Sequence, residues 1–136
     1  MPDLELRHRI YTRLAETGRA PTRAEIADDT ALRDLHDAHM VVLDHAGEIA
    51  MALPFANRPT THRVVSGEQS WWANCAWDSL AIPTALGSDA TIEATWIDTG
   101  DPVDLSVIDG MLAGDTSGFV HFQVPARHWW DDIVET

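Results

Sequence analysis

With one cysteine in 136 residues, this chain can form no internal disulfide and no multi-cysteine metal site, so a packed apolar core must hold it together. The cysteine sits in Trp71-Trp72-Ala73-Asn74-Cys75-Ala76-Trp77-Asp78-Ser79-Leu80. Asn74 is a good helix N-cap, and Ala76, Leu80, Ala81, Ala85 and Leu86 read as a helix closed by Gly87 and loosened at Pro83. Cys75 then takes the first helical position, where free backbone N–H groups and the helix dipole favour a thiolate. Asp78 follows at i+3, on the same face. A soft sulfur beside a carboxylic acid, flanked by tryptophans, is a reactive pair; a buried, inert cysteine is the other reading of the same residues.

Length and composition permit such a core. A chain of this length makes one domain, or a small one with an appended subdomain, and 45% hydrophobic with 23% charged residues is ordinary for a globular protein. No apolar run is long enough to span a bilayer, and no basic-then-apolar leader opens the sequence, so the expectation is a cytoplasmic protein. The formal net charge is −13 and all nine basic residues are arginine, which excludes lysine Schiff-base chemistry. A field of that sign repels nucleic acid and anionic membranes, so neither is expected as a partner.

The first third reads as three helices and a hairpin. Leu6, Ile10 and Leu14, with Tyr11 beside them, form a helical stripe ending at Gly18. Thr22 and Glu25 have capping-box spacing, and a third helix from Asp29 or Thr30 uses Leu32, Leu35 and Met40. Residues 40–43 and 49–53 then flank Asp44-His45-Ala46-Gly47 as a hairpin. The pattern is that of a winged helix, but residues 21–39 carry Arg23 and Arg33 against Glu25, Asp28, Asp29, Asp34 and Asp37, which opposes DNA binding.

Residues 54–59 read as a linker, giving a winged-helix-like subdomain at 1–58 and a core at 59–136. In the core, 61–65, 90–97, 103–108 and 119–124 read as strands, and 128–133 as a short terminal helix. The fold class is therefore α+β: three N-terminal helices, then a small, mostly antiparallel sheet with a helix carrying Cys-x-x-Asp. No zinc-finger, metalloprotease or EF-hand spacing is present. His36 and His39, three apart, lack further convergent ligands. His121 alternates with Phe119 and Gln123 and either faces a pocket or is a hydrogen-bonded structural residue. The six tryptophans either line a pocket or fill the core.

The run from Trp72 to Gly87, Trp-Ala-Asn-Cys-Ala-Trp-Asp-Ser-Leu-Ala-Ile-Pro-Thr-Ala-Leu-Gly, resembles the catalytic segment of the organomercurial (alkylmercury) lyases. There a Cys-Ala-x-Asp motif precedes a helix with an internal proline and a terminal leucine-glycine. Pro54-Phe55, Pro59-Thr60-Thr61-His62-Arg63-Val64 and Val120-His121-Phe122 are similar to that family too, and so is the three-helix-plus-hairpin pattern. The resemblance implies protonolysis of a carbon–mercury bond, with Cys75 matching the first cysteine and Asp78 the aspartate. Cys75 would be a transient soft-metal ligand, with Trp72, Trp77 and His121 around the substrate. The family's second cysteine has no match; its place falls at about Gly118-Phe119, so a low-molecular-weight thiol would have to supply the second sulfur. Mercury enters as substrate, and no cofactor is expected. Two other functions fit the residues: a non-catalytic binding protein for a soft metal or small molecule, and a ligand-sensing winged-helix regulator.

Overall fold

The computed structural model of the protein describes residues 1–133. Helix α1 (Leu4–Thr17) starts where the Asp3 carboxylate accepts from the Leu6 N–H and stops at Gly18, which is left-handed at φ 75°. Its Leu6, Ile10 and Leu14 are buried along one face, as their spacing requires. Helix α2 (Arg23–Ile26) opens with the Thr22/Glu25 capping box, and α3 (Asp29–Asp37) is capped by Asp28 and buries Leu32 and Leu35. Met40 lies beyond α3 and packs partly buried against the core.

Among the described residues, eight strands follow in one antiparallel sheet: β1 (Val42–Leu43), β2 (Ile49–Ala52), β3 (Phe55–Ala56), β4 (His62–Ser66), β5 (Gln69–Ala73), β6 (Ala90–Glu93), β7 (Leu105–Ile108) and β8 (Met111–Gly114). Their order is β1-β2-β3-β5-β4-β6-β7-β8. Helix α4 (Ala76–Leu86) leaves β5, packs on β4 to β7, and ends at the left-handed Gly87. It runs unbroken through Pro83. The protein is thus α+β with an antiparallel sheet. A single cluster joins Leu6, Leu14 and Leu35 to Phe55, Trp71 and Ile82, so helices α1, α3 and α4 share one core against the sheet.

Several sequence expectations need correction. Residues 54–59 are no linker: β3 is buried and pairs on both sides, with β2 and β5. Asn57 then accepts from the Ala20 N–H at 2.9 Å and donates to the Ile49 carbonyl at 2.8 Å, tying α1's exit to β2. The strand expected over 90–97 stops at Glu93, after which only Thr95 bridges, to Pro102. No strand forms at 119–124. The edge of β7 is taken instead by β8, through a turn at Asp109 and Gly110 with φ 51° and 75°, the two positive values of a tight hairpin. The terminal helix is a 3-10 helix, Ala126–Asp131, whose Trp130 stacks on the His39 ring at 4.0 Å and 3°. Among the described residues no helix is long and apolar enough to cross a membrane.

Trp71 fixes the approach of α1 to the sheet. Its indole N–H is shared between the Leu14 and Ala15 carbonyls in the last turn of the helix, at 3.1 and 3.0 Å, and the Leu14 carbonyl also accepts from the Gly18 N–H at 2.8 Å. The contact is close enough that a Cβ on Gly18 would lie 2.7 Å from the Ser70 carbonyl oxygen.

Candidate active site at the start of helix α4

The chain leaves the last residue of β5, Ala73, and enters α4 within three residues. Cys75, not Asn74, is the N-cap: its backbone is extended, with φ −152° and ψ −179°, and α4 begins at Ala76. The sequence placed Cys75 one position too far in because asparagine is much the commoner cap. Asn74 is used elsewhere. Its amide reaches the Pro54 carbonyl at 3.4 Å, and it lies near the Asp78 carboxylate, whose charged form it favours.

Cys75 and Asp78 face each other across the first turn. Both are half-buried, and they lie close enough for each to shift the other's protonation. Burial pushes the Cys75 thiol above its ordinary value of 9.0. The N–H groups of Asp78 and Trp77 favour the thiolate, but neither caps the sulfur in hydrogen-bond geometry, and the Asp78 charge opposes it. The helix-start argument for an acidic thiol is therefore overturned: desolvation outweighs the dipole. Burial likewise raises Asp78 above 3.8, while Asn74 and Cys75 pull the other way. Both groups are thereby shifted toward their neutral forms.

Tyr11, whose only place in the sequence pattern is beside the α1 stripe, completes this corner. Its hydroxyl donates to the Leu53 carbonyl at 2.8 Å. Burial raises its pKa, Arg7 opposes, and the Asp78 charge adds a further rise, which places the phenol within the carboxylate's field. The adjacent carbonyls of Leu53 and Pro54 thus take hydrogen bonds from Tyr11 and Asn74. No local pattern could have signalled this, because 42 residues separate Tyr11 from its acceptor. His62, opposite Ala73 at the β4 start, is half-buried, and burial lowers its pKa, favouring the neutral ring.

The expected substrate-facing residues disperse. Trp72 points to the sheet face opposite its buried neighbour Trp71, with the Arg63 guanidinium 6.0 Å from its ring centre. Trp77 stands at the helix start, 56% exposed, and meets Phe122 edge-on at 6.5 Å; Phe122 in turn meets Trp129 at 5.3 Å. His121 is exposed and outside any strand. At the place of the family's second cysteine, Gly118 lies against the Trp96 ring and the Phe119 side chain is exposed. Among the described residues no group of three or more His, Cys, Asp or Glu converges as a metal site. A surface cavity of about 930 Å³ lies between α3 and the β1–β2 turn, and its Arg23 is already paired with Asp29. It shares no residue with the Cys75 corner.

An antiparallel α+β frame that delivers a Cys-x-x-Asp turn to a half-buried helix start is the setting in which the family comparison becomes decisive. The alkylmercury lyase model, MerB, matches residues 55–136, and the protein belongs to the alkylmercury lyase family. Among solved structures, the mercury-bound form of MerB2 is similar, with a TM-score of 0.64 and 25% sequence identity over 85% of this chain. The match covers 61% of that chain. No curated protein sequence matches this one.

Proposed function

We propose that the protein cleaves carbon–mercury bonds by protonolysis, with Cys75 as the mercury ligand, Asp78 as the proton donor and a small thiol as the second sulfur. The observation that carries the reading is the Cys75–Asp78 pair, brought together half-buried at the start of α4. Mercury arrives as an organomercury thiolate. Cys75 exchanges for that thiolate, forming a sulfur–mercury bond while its proton leaves with the displaced thiol. Thiolates suit soft ions, so the raised pKa is overcome by the metal itself. A second small thiol then adds to mercury as thiolate and leaves its proton on Asp78, whose burial favours the acid form. Added electron density on mercury makes the carbon basic. Asp78 protonates it, the carbon–mercury bond breaks, and a hydrocarbon departs. Mercury remains between Cys75 and the small thiolate, and a further thiol releases it as a dithiolate.

In this reading residues 1–58 act as a winged-helix-like subdomain that closes the corner through Tyr11, and 59–136 form the reactive core, of which 134–136 lie outside the described residues. Trp77, with Phe122 and Trp129, shields one side of the pair; Trp72 and His121 have no contact supporting a role. The test is phenylmercury with increasing small thiol, measuring benzene. One benzene per phenylmercury, at a rate rising with thiol, is expected. Mercury retained with no benzene at any thiol concentration would make this a binding protein of the same fold.

A further inference from the structure

The sheet ends at β8, and the outer edge of that strand has no partner among the described residues. Such an edge is a template for another chain, and proteins commonly blunt it with lysine, proline or a bulge within the strand. None of these is present in β8. It reads Met-Leu-Ala-Gly and pairs with β7 in unbroken register, from Ile108↔Met111 to Leu105↔Gly114. The two-residue turn at Asp109-Gly110 makes Ile108 and Met111 a hydrogen-bonded pair, so the next pair, Val107 and Leu112, is not one. The bond from the Asp115 N–H to the Asp104 carbonyl, 2.7 Å, falls where that alternation requires it. The Leu112 N–H and carbonyl therefore point away from the sheet. Its side chain, in register with buried Val107, carries the core face one strand further out, while Ile108 and Met111 are exposed on the other face.

Charge stands at the two ends of this strand instead. At the turn, the Asp109 N–H donates to the Asp89 carboxylate at 2.8 Å; at the other end the backbones of Asp104 and Asp115 are bonded. All four residues are exposed, and none enters an ion pair among the described residues. No arginine or lysine lies between Arg63 and Arg127 in the chain. A second copy laid antiparallel on β8 would set Asp89 and Asp109 of one beside Asp104 and Asp115 of the other, at both ends. Like charges so placed oppose pairing. We infer that β8 docks an extended segment of a partner protein by strand addition, apolar in its middle and basic at both ends. Asp109 and Asp115 are six positions apart, so the basic residues of the occupant have about the same spacing, roughly 20 Å of strand. Main-chain bonds to Leu112 supply the affinity and the acidic ends the selection. The surface shares no residue with the Cys75 corner, and the inference does not depend on the lyase reading.

The test uses the full chain and three labelled, end-blocked peptides at low salt: Arg-Val-Thr-Val-Thr-Val-Arg, the same peptide with glutamate at both ends, and the arginine peptide with proline at its centre. Fluorescence anisotropy should show the first binding at least about tenfold more tightly than the second, because the acidic ends attract one and repel the other. Proline keeps the charge but interrupts the ladder, and should weaken binding at least about threefold. Amide hydrogen exchange at Leu112 should slow with the first peptide. Asp109→Asn combined with Asp115→Asn should lower the arginine-to-glutamate preference at least about threefold. Asparagine suits the positive φ of 51° at the turn, and circular dichroism of the variant checks its fold. The comparison of peptides on the wild-type protein stands even if the variant misfolds. No binding, equal binding of the arginine and glutamate peptides, undiminished binding of the proline peptide, or binding that leaves Leu112 exchange unchanged overturns the inference. So does a concentration-dependent dimer that protects Leu112 without peptide, since the occupant is then a second copy.

Discussion

The contact between α1 and β5 and the junction between β5 and α4 lie at opposite ends of the same strand, and they are built on opposite rules. At the first, Leu14 is 0% and Trp71 4% exposed, and the polar atoms of the contact are mutually satisfied by the indole N–H and two helix-end carbonyls. At the second, Cys75 and Asp78 are half-buried, and the cap lacks a side-chain hydrogen bond. Full burial with full satisfaction gives stability. Partial burial leaves the sulfur and carboxyl accessible while shifting both toward their neutral forms, the state from which a soft metal can be captured and a proton delivered. One strand thus leads from a fully buried, fully satisfied contact to a half-buried polar pair.

The largest effect expected at the α4 end is that of Cys75→Ser, which should abolish mercury capture, because a hydroxyl is a hard ligand that cannot replace a thiolate. Titration of the variant with mercuric ion in the presence of a competing thiol measures it, and capture comparable to wild type would dissolve the contrast between the two ends. The same substitution should change unfolding free energy by less than about 1 kcal/mol, since the site is only partly buried. At the α1 end the order reverses. Leu14→Ala should cost about 2–5 kcal/mol by denaturant unfolding, with no loss of mercury capture in the protein that remains folded. Gly18→Ala should cost about 1–3 kcal/mol, because a side chain at φ 75° is strained and its Cβ would crowd the Ser70 carbonyl.

The smallest effects concern pH. Alkylation of Cys75 should have its midpoint above 9.0, against a lower value if the helix dipole governed the thiol. Asp78 has a folded pKa raised above its ordinary 3.8, so the native state binds its proton more tightly than the unfolded chain. Its stabilising share is therefore complete below 3.8 and is lost as pH rises through the raised value. Asp78→Asn should remove that slope from the stability–pH curve, and an unchanged slope would mean the carboxyl is not desolvated.

What could be read from the residues was whatever is local and periodic. Leu6, Ile10 and Leu14 declared α1 by spacing, Thr22 and Glu25 declared the start of α2, and Gly87 the end of α4. The alternation of residues 119–124 looked like a strand, but the β7 edge is taken by β8 through the Asp109-Gly110 turn. That Asp-Gly pair was the available signal. Residues 54–59 looked like a linker because β3 is two residues long, too short for alternation to register between prolines. At the site, the placing of Cys75 and Asp78 on one helical turn was legible from spacing, while the direction of the thiol's shift was not, since burial is a tertiary property. Tyr11 and Arg7 reach the corner only through the packing of α1.

The central claim is that Cys75 and Asp78 divide one reaction into capture and proton delivery, and Asp78→Asn separates the two most directly. The amide keeps the shape of the carboxyl without a transferable proton. With phenylmercury and excess small thiol, the variant should bind phenylmercury as the wild type does and release benzene about 10²- to 10⁴-fold more slowly, the share of a positioned acid. Benzene release at the wild-type rate from Asp78→Asn would contradict the account.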